Sequence, residues 1–144
     1  MHPKLLIDKL DETKIVAAIK QAEQIAAGEI RVTVSHGHPV NVLSAARSYF
    51  FRSGMNRIPR RNAVLIYFAP RAHTFAIWGD IGVHEKCGDE FWQAVTATVS
   101  PRLKNGQFTE AIVEAVHQLG EQLARDYPRR VDRQNGLPDA VIRD

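Results

Sequence analysis

Two apolar runs, Ala63–Ala69 (AVLIYFA) and His73–Trp78 (HTFAIW), are separated by only Pro70-Arg71-Ala72, and that spacing constrains the chain more than any other feature. Short runs rich in β-branched and aromatic residues, bounded by turn formers, read as strands. Three residues cannot make the crossover that a parallel pair requires, so the two runs must form an antiparallel hairpin. The second run leaves through Gly79-Asp80 into a segment that places Asp80, Glu85, Asp89 and Glu90 within eleven positions. A loop is expected there. Strand ends that present carboxylates to a loop are where α/β proteins commonly put metal or ligand chemistry.

The flanking segments supply the layers that such a hairpin needs. Residues 12–27 set Ile15, Ala18, Ile19, Ala22, Ile25 and Ala26 on one helical face, with Gly28 placed as a C-cap. EIRVTV, residues 29–34, alternates as a strand, and Ser35 to Pro39 read as a loop. Asn41 is an N-cap for a second helix whose buried stripe is Val42, Leu43, Ala46, Tyr49 and Phe50; Gly54 and Pro59 end it. A helix between the first two strands allows a right-handed βαβ unit. Past the acidic segment, Phe91, Trp92, Val95, Val99 and Leu103 recur at helical spacing. A last helix over about 109–126 buries Ile112, Ala115, Val116, Leu119 and Leu123, capped by Thr109 and stopped by Pro128. Residues 1–128 then make one domain. The polar tail 129–144 is expected to be irregular, with Leu137, Val141 and Ile142 able to dock on the body. The outcome is a small mixed sheet with helices on both faces.

Composition narrows the partners. A chain of 144 residues suits a single core. The net charge of +3 is too small to argue for nucleic acid, and the basic residues do not cluster on one helix. Cys87 is the only cysteine, which excludes an internal disulfide. MHPKLLIDKLDE lacks the apolar core of a signal peptide, and no run approaches the roughly 20 apolar residues of a membrane span. A cytoplasmic protein is the expectation. Charge is unevenly spread: no acid lies between Glu29 and Asp80, while Arg31, Arg47, Arg52, Arg57, Arg60, Arg61 and Arg71 do.

Four stretches together are distinctive: GEIRVTV after an Ala-rich helix, RNAVLIYFAP, FAIWGDIGVHEKCGDEFW and the late NGLPD. They resemble the TPM domain family, which groups thylakoid proteins of photosystem II repair with bacterial and animal relatives. The resemblance spans residues from about 10 to 140. It implies a three-layer α/β/α sandwich around a four-stranded mixed sheet, of which three strands are located above. Acid phosphatase activity and calcium binding are associated with members, and many carry a leader and a membrane anchor that this sequence does not display.

Candidate sites follow from the residue types. Calcium or magnesium takes several oxygens, and Asp80, Glu85, Asp89 and Glu90 could converge on one ion, with Gly79, Gly82 and Gly88 giving the backbone freedom. The EF-hand pattern is absent. The plainer alternative is that Asp80 caps the next turn and the other acids favour helix N-termini. Glu29 joins only if the first strand begins near the acidic segment. A phosphatase would use Asp80 as its nucleophilic or metal-holding centre, with Arg57, Arg60 and Arg61 gripping the phosphoryl oxygens. Those arginines alone could bind another anion or simply line a solvated connection. His36, His38, His84 and Cys87 have poor zinc spacing, and Cys87 lacks a nucleophile signature. Trp78, Phe91 and Trp92 are expected in the core or closing over the acids. The leading expectation is a divalent-cation-binding domain with an interaction or regulatory role toward a protein partner. The alternatives are a phosphatase and a metal-free interaction domain.

Overall fold

The computed structural model describes residues 10–127 and 141–143, the side chains of Asp89 and of 141–143 excepted. Its elements are α1 (Glu12–Ile25), β1 (Glu29–Val34), α2 (Val42–Arg52), β2 (Ala63–Ala69), β3 (Thr74–Gly79), α3 (Ile81–Lys104), α4 (Phe108–Asp126) and β4 (Val141–Arg143). Short 3-10 turns at Met55–Arg57 and Pro70–Ala72 precede β2 and β3. The sheet runs β3-β2-β1-β4. β2 and β4 pair parallel to β1, and β3 returns antiparallel along β2, as the short link demanded. His73 sits in the turn in the left-handed region (φ 52) instead of opening the strand.

Every residue of β2 is buried, the pattern of a strand covered on both faces. On one face α1, α3 and α4 enclose Ile30, Val32, Val64, Ile66 and Phe68 in the larger core. On the other, α2 lays Ala46 and Phe50, with Met55, over Ala63, Leu65 and Tyr67. This is the expected α/β/α sandwich. Among the described residues no helix is long and apolar enough to cross a membrane.

Three local expectations change. Gly28 is not a helix cap: α1 ends at Ala26 in extended backbone (φ −131). Space explains that glycine, because a Cβ there would lie 2.7 Å from Leu123 Cδ1. Thr109 is not the cap of α4, which starts at Phe108; its hydroxyl accepts instead from the Asp11 N–H at 3.1 Å, tying α4 to the start of α1. The tail is not wholly irregular, since Val141–Arg143 pair with Val32–Val34 of β1. Without β4, that edge of β1 would leave main-chain groups unpaired. Leu137 and the NGLPD stretch lie outside the described residues.

Candidate functional site beside the edge strand

The segment after β3 is a helix and not a loop. Asp80 makes it so: its Oδ1 accepts from the Ile81 N–H at 2.8 Å, and α3 begins there. A carboxylate at this position satisfies a main-chain donor and suits the positive end of the helix. Arg61 then takes both oxygens, Nε donating to Oδ2 at 2.6 Å and Nη2 to Oδ1 at 2.7 Å. Such a forked pair is short and directional. The Asp80 hydrogen bond chiefly, helped by its charge and opposed by burial, holds the Arg61 guanidinium above its ordinary pKa. Asp80 is 3% exposed and Arg61 44%, so water reaches the pair from the arginine side only. Arg61 itself adopts a left-handed backbone (φ 53), uncommon for a non-glycine residue. Its carbonyl accepts from the Gly82 N–H at 3.1 Å. Gly82 is needed there, because a Cβ would stand 2.7 Å from the Arg61 oxygen and 2.9 Å from that of Arg60.

Among the described side chains, the other candidate ligands form no metal-holding group with Asp80. Glu85 and Glu90 are exposed on α3, and the side chain of Asp89 lies outside the described residues. α3 is broken at Gly88 (φ 76, ψ 167), between the helical turns that carry Glu85 and Glu90. Among the described residues, no three His, Cys, Asp or Glu side chains are grouped to hold a metal ion. Glu29 is buried and starts β1 opposite Ala63, whose carbonyl accepts from the Asp80 N–H at 2.9 Å. The antiparallel return of β3 therefore brings Asp80 to the end where β1 and β2 begin. That is the reverse of the carboxyl-end crevice at which open α/β sheets bind ligands.

The basic connection divides its arginines among separate tasks. Arg61 holds Asp80, Arg60 lies 5.3 Å over the Tyr127 ring, and Arg57 is exposed. His36 and His38 follow the far end of β1, roughly 17 Å of strand away from the end that holds Asp80 and His84. Cys87 is half-buried, and burial first, then the Asp126 carboxylate 3.5 Å away, pushes its thiol up to about 12. It is a protonated packing residue and no nucleophile at neutral pH.

What the structure does assemble is an apolar cleft over the edge of β3. A cavity of ≈ 500 Å³ lies between α2 and α3, with Leu43, Phe51, Trp78, Ile81 and Trp92 in its walls and the Arg61–Asp80 pair at one end. A second cavity of ≈ 450 Å³ continues it along Phe75 and Ile77. Leu43, Phe51 and Ile81 are 50%, 42% and 54% exposed, so much of the molecule's uncovered apolar surface meets here. Leu43, expected in the buried stripe of α2, points to this cleft instead, because Ala46 and Phe50 take the sheet-facing positions. Trp92 packs on Gly79, where a Cβ would come within 2.8 Å of the ring, and His84 stacks on Trp92 at 6.4 Å. Arg47 spreads its guanidinium 5.5 Å from the Phe51 ring and 5.9 Å from that of Trp78. The one signal in the sequence is β3 itself: TFAIWG is apolar at both parities, so neither of its faces is meant for water.

The hairpin, the mixed sheet and the helices on both of its faces place the chain among small three-layer α/β domains. The chain belongs to the TPM domain family, whose pattern matches residues 3–122. It is similar over 94% of its length to the BA42 protein of the psychrophilic bacterium Bizionia argentinensis, at 31% identity and a TM-score of 0.87, with 96% of that chain covered. The N-terminal domain of the cg2496 protein from Corynebacterium glutamicum shares the fold, with a TM-score of 0.58 at 15% identity over 90% of this chain and 76% of that one. No curated protein matches.

Proposed function

We propose that this TPM domain is a binding module, and that its cleft over the β3 edge takes an apolar ligand with an anionic group. One observation carries the reading: the single carboxylate in the cleft among the described residues is already committed. Asp80 gives both oxygens to Arg61 and one of them also to the Ile81 N–H. A calcium or magnesium ion, or a phosphorus centre, would have to compete with the Arg61 cation for this carboxylate. What stays available to a ligand is apolar wall, the exposed side of Arg61 and the Arg47 guanidinium, which has no carboxylate partner among the described residues. Aromatic walls with a few placed cations suit a ligand that is greasy along its length and negative at one point.

Anilinonaphthalene sulfonate, apolar with one anionic group, is the first probe. It is expected to quench Trp78 and Trp92 fluorescence and to shift the amides of α2 and β3. Absence of both effects would reject the cleft. Calcium titration tests the competing cation reading: movement of the 79–90 amides at millimolar calcium, lost in Asp80→Ala, would replace the proposal. Hydrolysis of a generic phosphomonoester that disappears in the same variant would replace it with an enzyme.

A further inference from the structure

We infer that the ligand of this cleft is an extended, carboxylate-bearing polypeptide segment that adds to β3 as a new strand. The inference rests on the binding reading above and names its partner. β3 ends the sheet, with β2 on one side and no strand on the other among the described residues. The bond from the Asp80 N–H to the Ala63 carbonyl sets the phase of the ladder. In an antiparallel pair, alternate residues turn their main-chain groups to the partner strand, so Thr74, Ala76 and Trp78 face β2 along with Asp80. The N–H and C=O groups of Phe75, Ile77 and Gly79 therefore point away from the sheet.

Open edges template the pairing of another chain, and proteins usually blunt them with a lysine, a proline or a bulge. TFAIWG has no charged residue and no proline, and its register with β2 runs unbroken over six pairs. Among the described residues no strand pairs with this edge along roughly 20 Å. An added strand would point alternate side chains to opposite faces. Those on the α3 side meet Ile77 and Trp92, and those on the α2 side meet Leu43, Phe51 and Trp78. The two cavities follow β3 in line, so walls and backbone donors serve the same occupant.

Charge selects which occupant. The α2 rim carries Arg47 and Arg52, Arg61 closes one end, and among the described residues the only carboxylate lining the cleft is the one Arg61 holds. A second copy pairing β3 to β3 would bring each rim against its own like charges, which opposes such a dimer. A foreign strand with acidic side chains on the α2 side meets Arg47 instead.

The test is a library of short random peptides panned on the full chain, followed by amide NMR with a recovered peptide. Enrichment of sequences that alternate apolar residues with Asp or Glu is expected. The recovered peptide should shift the amides of Phe75, Ile77 and Gly79 and slow their hydrogen exchange. N-methylation at the alternate peptide positions that face β3 should abolish binding, while N-methylation at the other positions is tolerated. Arg47→Glu, or Lys in place of the acidic peptide residues, should weaken binding by about tenfold or more. Enrichment of Lys- and Arg-rich sequences, tolerance of N-methylation everywhere, or a concentration-dependent dimer that protects the same three amides would overturn the inference. If no peptide is enriched but the sulfonate dye still binds, strand addition fails and the binding reading stands. If the dye also fails, both fail.

Discussion

On one side of the sheet, α1, α3 and α4 enclose Val32, Ile66 and Phe68 completely, whereas on the other α2, helped by Met55, covers Leu65 and Tyr67 and stops short of the β3 edge. The first side spends its apolar residues on closure: Gly120 lets α4 approach α1 so closely that a Cβ would meet that of Ala22 at 2.7 Å. The second side leaves Leu43 and Phe51 half in water beside Trp78. Stability is concentrated where helices are stacked, and ligand-accessible surface where the cover runs out. Both follow from three helices sharing one face and one helix serving the other.

The largest expected effects set these sides against each other. Leu119→Ala, in the closed core, should cost about 2–5 kcal/mol and Phe50→Ala, under α2, about 3–5 kcal/mol in urea melts. The sharper readout is hydrogen exchange. Leu119→Ala should lower protection everywhere, while Phe50→Ala should first release α2 and β3. Equal loss across the sheet in both variants would mean the two sides unfold as one and would break the comparison. Gly120→Ala tests the closed side again. The added methyl collides with Ala22, so a cost of about 1–3 kcal/mol is expected in thermal melts.

Asp80→Ala removes the cap of α3 and should cost about 1 kcal/mol, with Asp80→Asn losing less because an acceptor for the Ile81 N–H remains. If the Asn variant loses as much as the Ala variant, the Arg61 pair, which both break, and not the cap dominates at this position. A pH-dependent effect follows from Cys87. Its thiol keeps its proton to about 12 in the folded protein but releases it near 9.0 when unfolded. The stabilisation is therefore complete below pH 9.0 and falls as pH climbs toward 12. Cys87→Ala should flatten that alkaline decline in a pH series of melts, leaving the share due to Tyr127, whose burial shifts it the same way. Smallest of all, Arg47→Ala should change stability by no more than about 0.5 kcal/mol. Its effect belongs in binding, and a large loss of stability would show that the cation–aromatic contacts hold α2 down.

Much of the scaffold was legible because it is local. The period of α1 and α4, the Asn41 cap of α2, and the hairpin forced by Pro70-Arg71-Ala72 rest on residues a few positions apart. Where partners are distant, the reading changed. Gly28 looks like a helix stop until Leu123 is found against it, and the Asp80–Glu90 stretch looks like a loop until Asp80 is seen to start a helix. Arg61 and Asp80 were both singled out, one for an anion and the other for a cation. The structure shows each to be the other's partner. The C-terminal strand escaped because three residues carry no periodicity of their own and β1 alone defines their pairing.

The sequence by itself determined the order of the helices and of the first three strands, the antiparallel return of β3 and the capping role open to Asp80, since hydrophobic period, link length and side-chain reach act over a few residues. Only the tertiary structure decided that the carboxylate is answered by an arginine, that β3 lies at the edge, and that Leu43, Phe51, Trp78 and Trp92 share one cleft. Those outcomes depend on which helices reach which face, and that is settled by competition among long-range contacts that no local pattern encodes.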